Sequence, residues 1–376
     1  MRKVSKVSLG LATLAATALS LGLVGPATAD PYPTSGDAVL GGSDTIQYTL
    51  DFVADGTPSG GAGFNVSKSN RMMSFDATGD ANGRATYNAD GTPLATTIVM
   101  RAGNGPVPRP NGSHGGAGAL FNAQYFSGGT TAGVPMENIA RMSGLPYCTL
   151  EDGGAAAAGF GGLHTYKFAT ENLTAATATV TNAPSTISIA DLVKIYDGTY
   201  TTWNQIPGNS GGSTATIDPL IPQPGSGTRS TFEADLTAAG WGGTYGPAVR
   251  QVQENDYAAL DGLPNAIAPF SNGRIGLNNS GFFGAAAKNK VVAVTGTGSY
   301  VHVRNLYLVV RQNDITSTTP YLPGSPSNFV QAIITNPNSA VRSPAYAANI
   351  AAAGQTPAFQ DLGRANVAGT SCDGSK

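Results

Sequence analysis

Charge is scarce in this sequence. Charged residues make up only 12% of its 376 residues, the formal net charge at pH 7 is −2, and Lys and Arg form no cluster along the chain. Nucleic acids and anionic membranes are bound through concentrated positive charge. We therefore expect no nucleic-acid partner and no insertion into a membrane.

Histidine is also rare. The three histidines, His114, His164 and His302, are far apart and have no metal-ligand spacing. Each is interpreted as a surface residue or a hydrogen-bonded core residue. We expect no metal site, no cofactor and no catalytic residue.

The N-terminus has the composition of a secretory signal peptide. Arg2, Lys3 and Lys6 precede an apolar run over residues 7–24, and an A-x-A cleavage site follows at Ala27–Ala29. No cysteine follows the apolar run, so no lipid-anchored start is predicted. We expect residues 1–29 to be removed and the mature chain to be secreted to the extracellular side.

Cysteine occurs only twice, at Cys148 and Cys372. In an exported protein a single pair most simply forms one disulfide bond, which here would join the C-terminal tail to the first half of the chain. The alternative is two unpaired buried thiols.

Glycine and small hydroxyl residues, by contrast, are abundant, and they open several predicted helices. In Pro224–Glu233 two glycines and Ser226 precede a helix pattern, so free backbone N–H groups and the positive end of the helix dipole face a common point. Such a helix start can bind an anion, with hydroxyls from Ser226 and Thr228 and a planar charged fork from Arg229. The same composition is also found in ordinary loops with N-caps.

A similar turn follows the short apolar run Val39–Leu40. Gly41–Thr45 leads into apolar residues at helical spacing, and a third Gly/Ser-rich entry to a helix lies at Asn111–Leu120. We call Ser43–Thr45 the first seat and Ser226–Thr228 the second seat. The clearest helix begins at Ser188, with Asp191 three residues later, and ends at Gly198.

Strands alternate with helices along the chain, which predicts an α/β fold with ligands at the carboxyl ends of strands. Predicted strands include residues 95–101, 138–144, 164–168, 291–295 and 305–310, and a late helix is predicted at residues 328–334.

Several segments together resemble the extracytoplasmic phosphate-binding proteins of high-affinity phosphate ABC transporters. The matching segments, in order over residues 39–310, are Gly42–Thr45, Ile187–Gly198, Trp203–Asn204, Pro224–Phe232, Asn265–Ala268 and Arg304–Tyr307. The resemblance implies a two-lobed type II periplasmic-binding-protein fold in which hinge crossover strands join the lobes. We expect lobe 1 at residues 39–168 and 295–376 and lobe 2 at residues 169–294.

The resemblance also implies the ligand set. Ser43, Asp44 and Thr45 would contact the ligand from lobe 1, Ser74 would occupy the place of another lobe 1 serine, and the second seat would contact it from lobe 2. The implied partners are inorganic phosphate or a similar oxyanion and, if transport is retained, an ABC permease; the protein is expected to be a monomer.

Two positions depart from the family pattern. Pro222 replaces an arginine that many phosphate binders have four residues before the motif serine, so Arg229 is expected to supply the charge. The segment that supplies an acceptor carboxylate in phosphate binders has no acid here, at Asn138–Ser143. A protonated phosphate needs such an acceptor, and Asp44 and Asp76 are the candidates, although each has a simpler explanation as a helix cap or a loop acid.

Two other classes of function remain as alternatives. Gly208–Gly212 matches the G-x-S-x-G motif of hydrolases but lies in a polar loop rather than between a strand and a helix, so an enzyme such as a phosphatase-like relative is a minor alternative. A secreted surface or matrix protein that kept the fold without transport is the other.

Overall fold

The computed structural model describes residues 33–66, 68–78, 97–103, 105–121, 135–147, 162–316 and 329–364. The expected signal peptide lies outside these residues. So do Cys148 and Cys372, whose pairing stays a prediction. Within the described residues, no helix has both the length and the apolar character that a membrane span needs.

Strands and helices alternate along the first half of the chain, as the pattern predicts. The elements are β1 (Ala38–Gly42), α1 (Gln47–Asp55), β2 (Met72–Ser74), β3 (Thr97–Ile98), β4 (Val107–Pro108), α2 (Ser113–Phe121), β5 (Ile139–Met142), β6 (Leu163–Ala178) and α3 (Ile189–Tyr196). Their order continues in the second half with β7 (Asp218–Pro222), α4 (Gly227–Ala238), β8 (Arg250–Val252), β9 (Ala266–Ser271), α5 (Asn272–Ser280), β10 (Val291–Ala293), β11 (Val301–Arg311), α6 (Gln312–Thr316), α7 (Pro344–Ala352) and β12 (Thr356–Arg364). Short helical turns lie at Trp203–Gln205, Tyr257–Ala259 and Gln331–Thr335.

One sheet runs through the described structure. Its ten strands include the continuous path β2-β1-β5-β11-β6-β9-β7-β8, with β10 and β12 also paired to β6. The pairs β1/β2, β1/β5, β7/β8 and β7/β9 are parallel, whereas β6 and β11 are antiparallel to each other and to their neighbours. This is the mixed α/β sheet of a two-lobed type II periplasmic-binding-protein fold.

Helices cover both faces of the sheet. Successive residues of β11 alternate between two cores: Leu306 and Leu308 pack with α1, and Tyr307 and Val309 pack with α2. In the second half, α3 and α4 enclose Trp203, which is fully buried and whose ring N–H donates to Asn265 Oδ1 at 3.0 Å. The sheet is therefore buried on both sides, as parallel strands require.

The strongest sequence prediction is confirmed at α3. Ser188 is its N-cap, and Ser188 and Asp191 form the reciprocal bonds of a capping box. Other predictions differ in extent. The strand expected at residues 164–168 is β6, which is 16 residues long, and the buried strand expected at residues 95–101 is represented in the described residues only by the two residues of β3.

The long strands β6 and β11 are neighbours at the centre of the sheet. They pair from Val301↔Thr174 to Arg311↔Leu163, with a register shift between Leu306 and Tyr307. These are the crossover strands that the resemblance implies. The lobe boundaries expected at residues 168/169 and 294/295 stay a prediction.

Candidate functional site

The first seat follows directly from the carboxyl end of β1. Ser43, Asp44 and Thr45 are all buried, and the backbone N–H of Ser43 donates to the carbonyl of Arg141 on the neighbouring strand β5 at 2.9 Å. Gly42 has φ = 111° and packs against β5 and α2, where a side chain would collide with the Arg141 carbonyl. The chain can therefore turn sharply into α1 at this point.

The second seat is the start of α4, as predicted. Ser226 is the N-cap, and its Oγ accepts from the backbone N–H of Arg229 at 3.1 Å. Gly225, at φ = 85°, makes the turn before it. Ser226, Gly227 and Thr228 are buried.

The two seats face each other and are in contact. Thr45 Oγ1 and Thr228 Oγ1 are 3.3 Å apart. A second contact involves Gly227, against which Ser113 and Ser143 pack so closely that a Cβ on this glycine would lie 2.3 and 2.5 Å from their Oγ atoms. The hydroxyl of Ser143 in turn accepts from Ser43 Oγ at 3.0 Å. Hydroxyl groups from three loops of the first half thus converge on the start of α4.

A buried carboxylate, Glu254, joins the seats. Its Oε1 accepts from Thr45 Oγ1 at 2.8 Å and from Thr228 Oγ1 at 2.6 Å. Its Oε2 is buried and has no hydrogen-bond partner among the described residues. The next residue, Asn255, has φ = 54° and donates to Thr45 Oγ1 at 3.2 Å. A non-glycine residue in this conformation beside a polar cluster is a common feature of ligand sites.

The positive charge at the seats comes from Arg304 on β11. Its Nη1 donates to Thr228 Oγ1 at 2.7 Å and its Nη2 to Thr45 Oγ1 at 3.2 Å. Each threonine hydroxyl therefore accepts from Arg304 and donates to Glu254. The guanidinium is also ion-paired with Glu171 on β6, and both side chains are almost fully buried.

Asp44 is neutralised by a second buried arginine. Arg274, in the first turn of α5, places Nη2 3.1 Å from Asp44 Oδ1 and stacks over the ring of Tyr48 at 4.4 Å. Burial lowers the pKa of Arg274, but the carboxylate of Asp44, together with Tyr48, Asp76 and Glu254, more than offsets this, and the pKa is raised. Asp44 is thus held in an ion pair with the second half of the chain.

Ser74 and Asp76 lie beside the first seat rather than opposite the second. The Ser74 hydroxyl accepts from Arg141 Nη1 at 2.5 Å. Burial lowers the pKa of Arg141, and the carboxylates of Asp51 and Asp76 partly offset this. Ser113 and Ser143, rather than Ser74, are the serines of the first half that pack most closely against Gly227.

Arg229 lies apart from the contacts that join the two seats. Its Nε is bonded to Glu233 Oε1 at 2.7 Å, one turn along α4, and its Nη1 to the carbonyl of Pro222 at 3.2 Å. Its guanidinium also lies over the ring of Tyr245. Because these contacts hold the side chain on the α4 side, Arg229 does not supply charge to the seats in this structure.

The residues at the site that were not predicted as ligands include Ser113, Ser143, Glu254, Asn255 and Arg304. Ser113 opens α2, whose Gly/Ser-rich start was recognised only as a helix entry. Arg304 begins a segment that matches the family, but no ligand role was predicted for it, and Glu254 belongs to no recognised motif. Only the three-dimensional structure shows that both reach the seats.

The histidines of the described residues at positions 164 and 302 are hydrogen-bonded to other side chains. His164 is bonded to Asp361 and Gln312, and His302 to Asp235. No group of three or more His, Cys, Asp or Glu side chains able to hold a metal occurs in this part of the chain.

Comparison with known proteins assigns this architecture to a family. The family model described as "PBP superfamily domain" matches residues 144–360. The fold and the facing seats define a two-lobed binding protein, and the chain belongs to the PBP superfamily. No curated protein matches the chain significantly in sequence.

Two phosphate-binding proteins are among the solved structures that share the fold. One, named as a phosphate ABC transporter substrate-binding protein with bound phosphate, from Clostridium perfringens, is 14% identical, with 86% of this chain and 100% of that chain covered and a TM-score of 0.51. The other, a high-affinity periplasmic phosphate-binding protein (PfluDING) bound with phosphate, is 15% identical, with coverages of 85% and 90% and a TM-score of 0.52. The fold that the sequence resemblance implied is confirmed; at these identities the likeness shows the fold alone.

Proposed function

We propose that this chain is an exported solute-binding protein that captures an inorganic oxyanion, phosphate first, between the first and second seats. The observation that carries this proposal is the meeting of Thr45 and Thr228 around one buried guanidinium, that of Arg304. Hydroxyl donors, a helix start and a buried arginine are the groups that bind oxyanions. The phosphate bound in the two related structures supports the same ligand class here.

Binding requires the seats to separate. At 3.3 Å the two threonine oxygens are in direct contact, so an oxyanion enters only when the crossover strands bend and the lobes move apart. The threonine hydroxyls then turn from Glu254 toward the anion, while Arg304 supplies the charge. Ser43, Ser113 and Ser143 add hydroxyls from lobe 1, and the N–H groups at the start of α4 face the anion from lobe 2.

Glu254 is proposed as the acceptor that distinguishes phosphate from sulfate. A protonated phosphate has a hydroxyl that must be bonded in a dry cleft, whereas sulfate has none. Asp44, a candidate from the sequence, is ion-paired with Arg274, and Asp76 lies on the Ser74 side of the first seat. The carboxylate of Glu254, by contrast, accepts from a threonine of each seat.

The physiological role follows from the class. Expected cleavage after residue 29 places the chain outside the membrane, and an ABC permease that accepts the loaded, closed form is the partner proposed for uptake. The role is binding rather than catalysis.

Calorimetric titration with phosphate and with sulfate tests the proposal. Phosphate is expected to bind, and Arg304→Lys to weaken it at least about tenfold, because an ammonium group lacks the planar fork that reaches Glu171 and both hydroxyls together. The matched control, Arg229→Lys, changes an arginine that faces Glu233 and should leave the affinity unchanged. No oxyanion binding at millimolar concentration would reject the proposal and favour a surface protein; release of nitrophenol from its phosphate ester would instead favour a hydrolase.

A further inference from the structure

The crossover strands carry a buried ion pair at the position where the lobes join. Glu171 on β6 and Arg304 on β11 are directly opposite each other in the register of the two strands. Their side chains are 0% and 2% exposed. The register shift between Leu306 and Tyr307 lies two residues farther along β11.

The strands that pair with β11 change at that register shift. Beyond it, Tyr307, Leu308 and Val309 also pair with β5 of the first half. Before it, β11 is joined within the described residues only to β6, which pairs there with β9 of the second half. A bulge of this kind locally disrupts the ladder and lets a strand bend. The ion pair therefore lies on the lobe 2 side of the natural bending point.

Both oxygens of Glu171 are used to hold this geometry. Oε1 accepts from Arg304 Nε at 2.8 Å and from Arg304 Nη2, and Oε2 accepts from Ser271 Oγ at 2.5 Å. Ser271 is the N-cap of α5. The carboxylate thus fixes the guanidinium relative to both crossover strands and to the start of a helix.

The remaining donors of Arg304 reach the two seats. Nη1 bonds Thr228 of the second seat, and Nη2 bonds Thr45 of the first seat as well as Glu171. One rigid, planar group is therefore anchored at the hinge and bonded on either side of the cleft. Bending of β6 and β11 changes its distance from at least one threonine.

We propose that Glu171 is a positioning residue that couples the bending of the crossover strands to the ligand seats through Arg304. The inference builds on the proposed function. When the lobes close, the anchored guanidinium meets both threonines at once, so the closed form is favoured. Without the anchored pair, no single group at the hinge bonds both threonines, and closure loses this preference.

The test compares the wild type with a variant in which the pair is replaced by neutral residues, Glu171→Gln together with Arg304→Met. Replacing both partners avoids the buried unpaired charge that would unfold the single variant. The matched control is Asp218→Asn with Arg250→Met, which removes the exposed pair that links β7 and β8 within the second half. Thermal unfolding establishes that all three proteins fold.

Small-angle scattering in buffer, and again with phosphate, measures closure independently of affinity. The neutral-pair variant is expected to have a larger radius of gyration in buffer than the wild type and to bind phosphate at least about tenfold more weakly, while the control matches the wild type. Equal radii for the folded neutral-pair variant and the wild type would overturn the coupling, whatever ligand binds. If the wild type binds neither phosphate nor sulfate, the proposed function fails, and the comparison of radii in buffer still decides the coupling.

Discussion

The hydroxyl oxygens of Thr45 and Thr228 lie 3.3 Å apart although the two residues are separated by 183 positions in the sequence. Each hydroxyl accepts from Arg304 and donates to Glu254. Each therefore has both its donor and its acceptor functions in use. A change at either residue acts on the same four-residue network.

Thr228→Val tests the hydroxyl of the second seat without changing the shape of the side chain. A lost hydrogen bond to a charged group costs about 1.5–3 kcal/mol, so phosphate affinity should fall about 10- to 150-fold in a calorimetric titration. Thr237→Val, on the same helix with an exposed hydroxyl bonded to the backbone, should bind as the wild type does. Equal affinities for the two variants would place the anion elsewhere.

Glu254→Gln tests the selectivity for phosphate. The amide offers donors where the carboxylate only accepts, so a fully ionised anion is favoured and the ratio of phosphate to sulfate affinity should fall about tenfold or more, which corresponds to about 1.4 kcal/mol. Competition titration of the two anions measures this ratio. The control, Glu233→Gln, removes a carboxylate bonded to Arg229 and Tyr245 and should leave the ratio of phosphate to sulfate affinity unchanged. If Glu254→Gln also leaves this ratio unchanged, another group is the acceptor.

Gly227→Ala tests how closely the seats approach. The added methyl group would meet Ser113 Oγ and Ser143 Oγ at 2.3 and 2.5 Å, and overpacking of this kind costs about 1–3 kcal/mol. Closure should be impaired and phosphate affinity reduced about 5- to 150-fold. Gly118→Ala, in α2 with no atom within 4 Å of the new methyl group, should leave affinity unchanged. Wild-type affinity in Gly227→Ala would mean that the loaded form closes less tightly than this structure.

Asp314 should make the free energy of unfolding depend on pH. Burial raises the pKa of its carboxyl group to about 6, and Arg311 partly offsets this. The folded chain therefore binds more protons than the unfolded chain between about pH 4 and pH 6, so stability falls as pH rises through this window, by up to about 3 kcal/mol. Urea unfolding of Asp314→Asn at several pH values should lack this loss. The control Asp261→Asn changes an exposed ion pair with Lys290 and should keep the wild-type dependence of the free energy of unfolding on pH. The same pH dependence in Asp314→Asn and in the wild type would contradict the prediction.

Local rules in the sequence predicted the local structure well. The cap at Ser188, the capping acid Asp191 and the stop at Gly198 are short-range signals, and α3 forms as they indicate. The two seats were also found from glycine and hydroxyl patterns, because a helix start is encoded within a few residues. The family resemblance then supplied the sheet and the facing of the seats.

The charges at the site were less predictable. Arg229 and Glu233 have the i,i+4 spacing of a helical ion pair, and the structure forms this pair, so the sequence contains a signal for the contact. Glu254 and Arg304 reach the site only because the turn after β8 and the middle of β11 meet there. No short motif predicts a contact between segments so far apart in the sequence, and a single sequence contains no other evidence for that contact.

The position of β12 has a consequence for how the chain reaches its native state. Residues 356–364 pair with β6 at residues 164–170, so the central strand keeps an unpaired edge until almost the last described segment of the chain is available. Contacts of such large sequence separation slow folding, and an open edge invites pairing with other chains. A protein synthesised from its N-terminus therefore remains without its complete sheet for most of its synthesis.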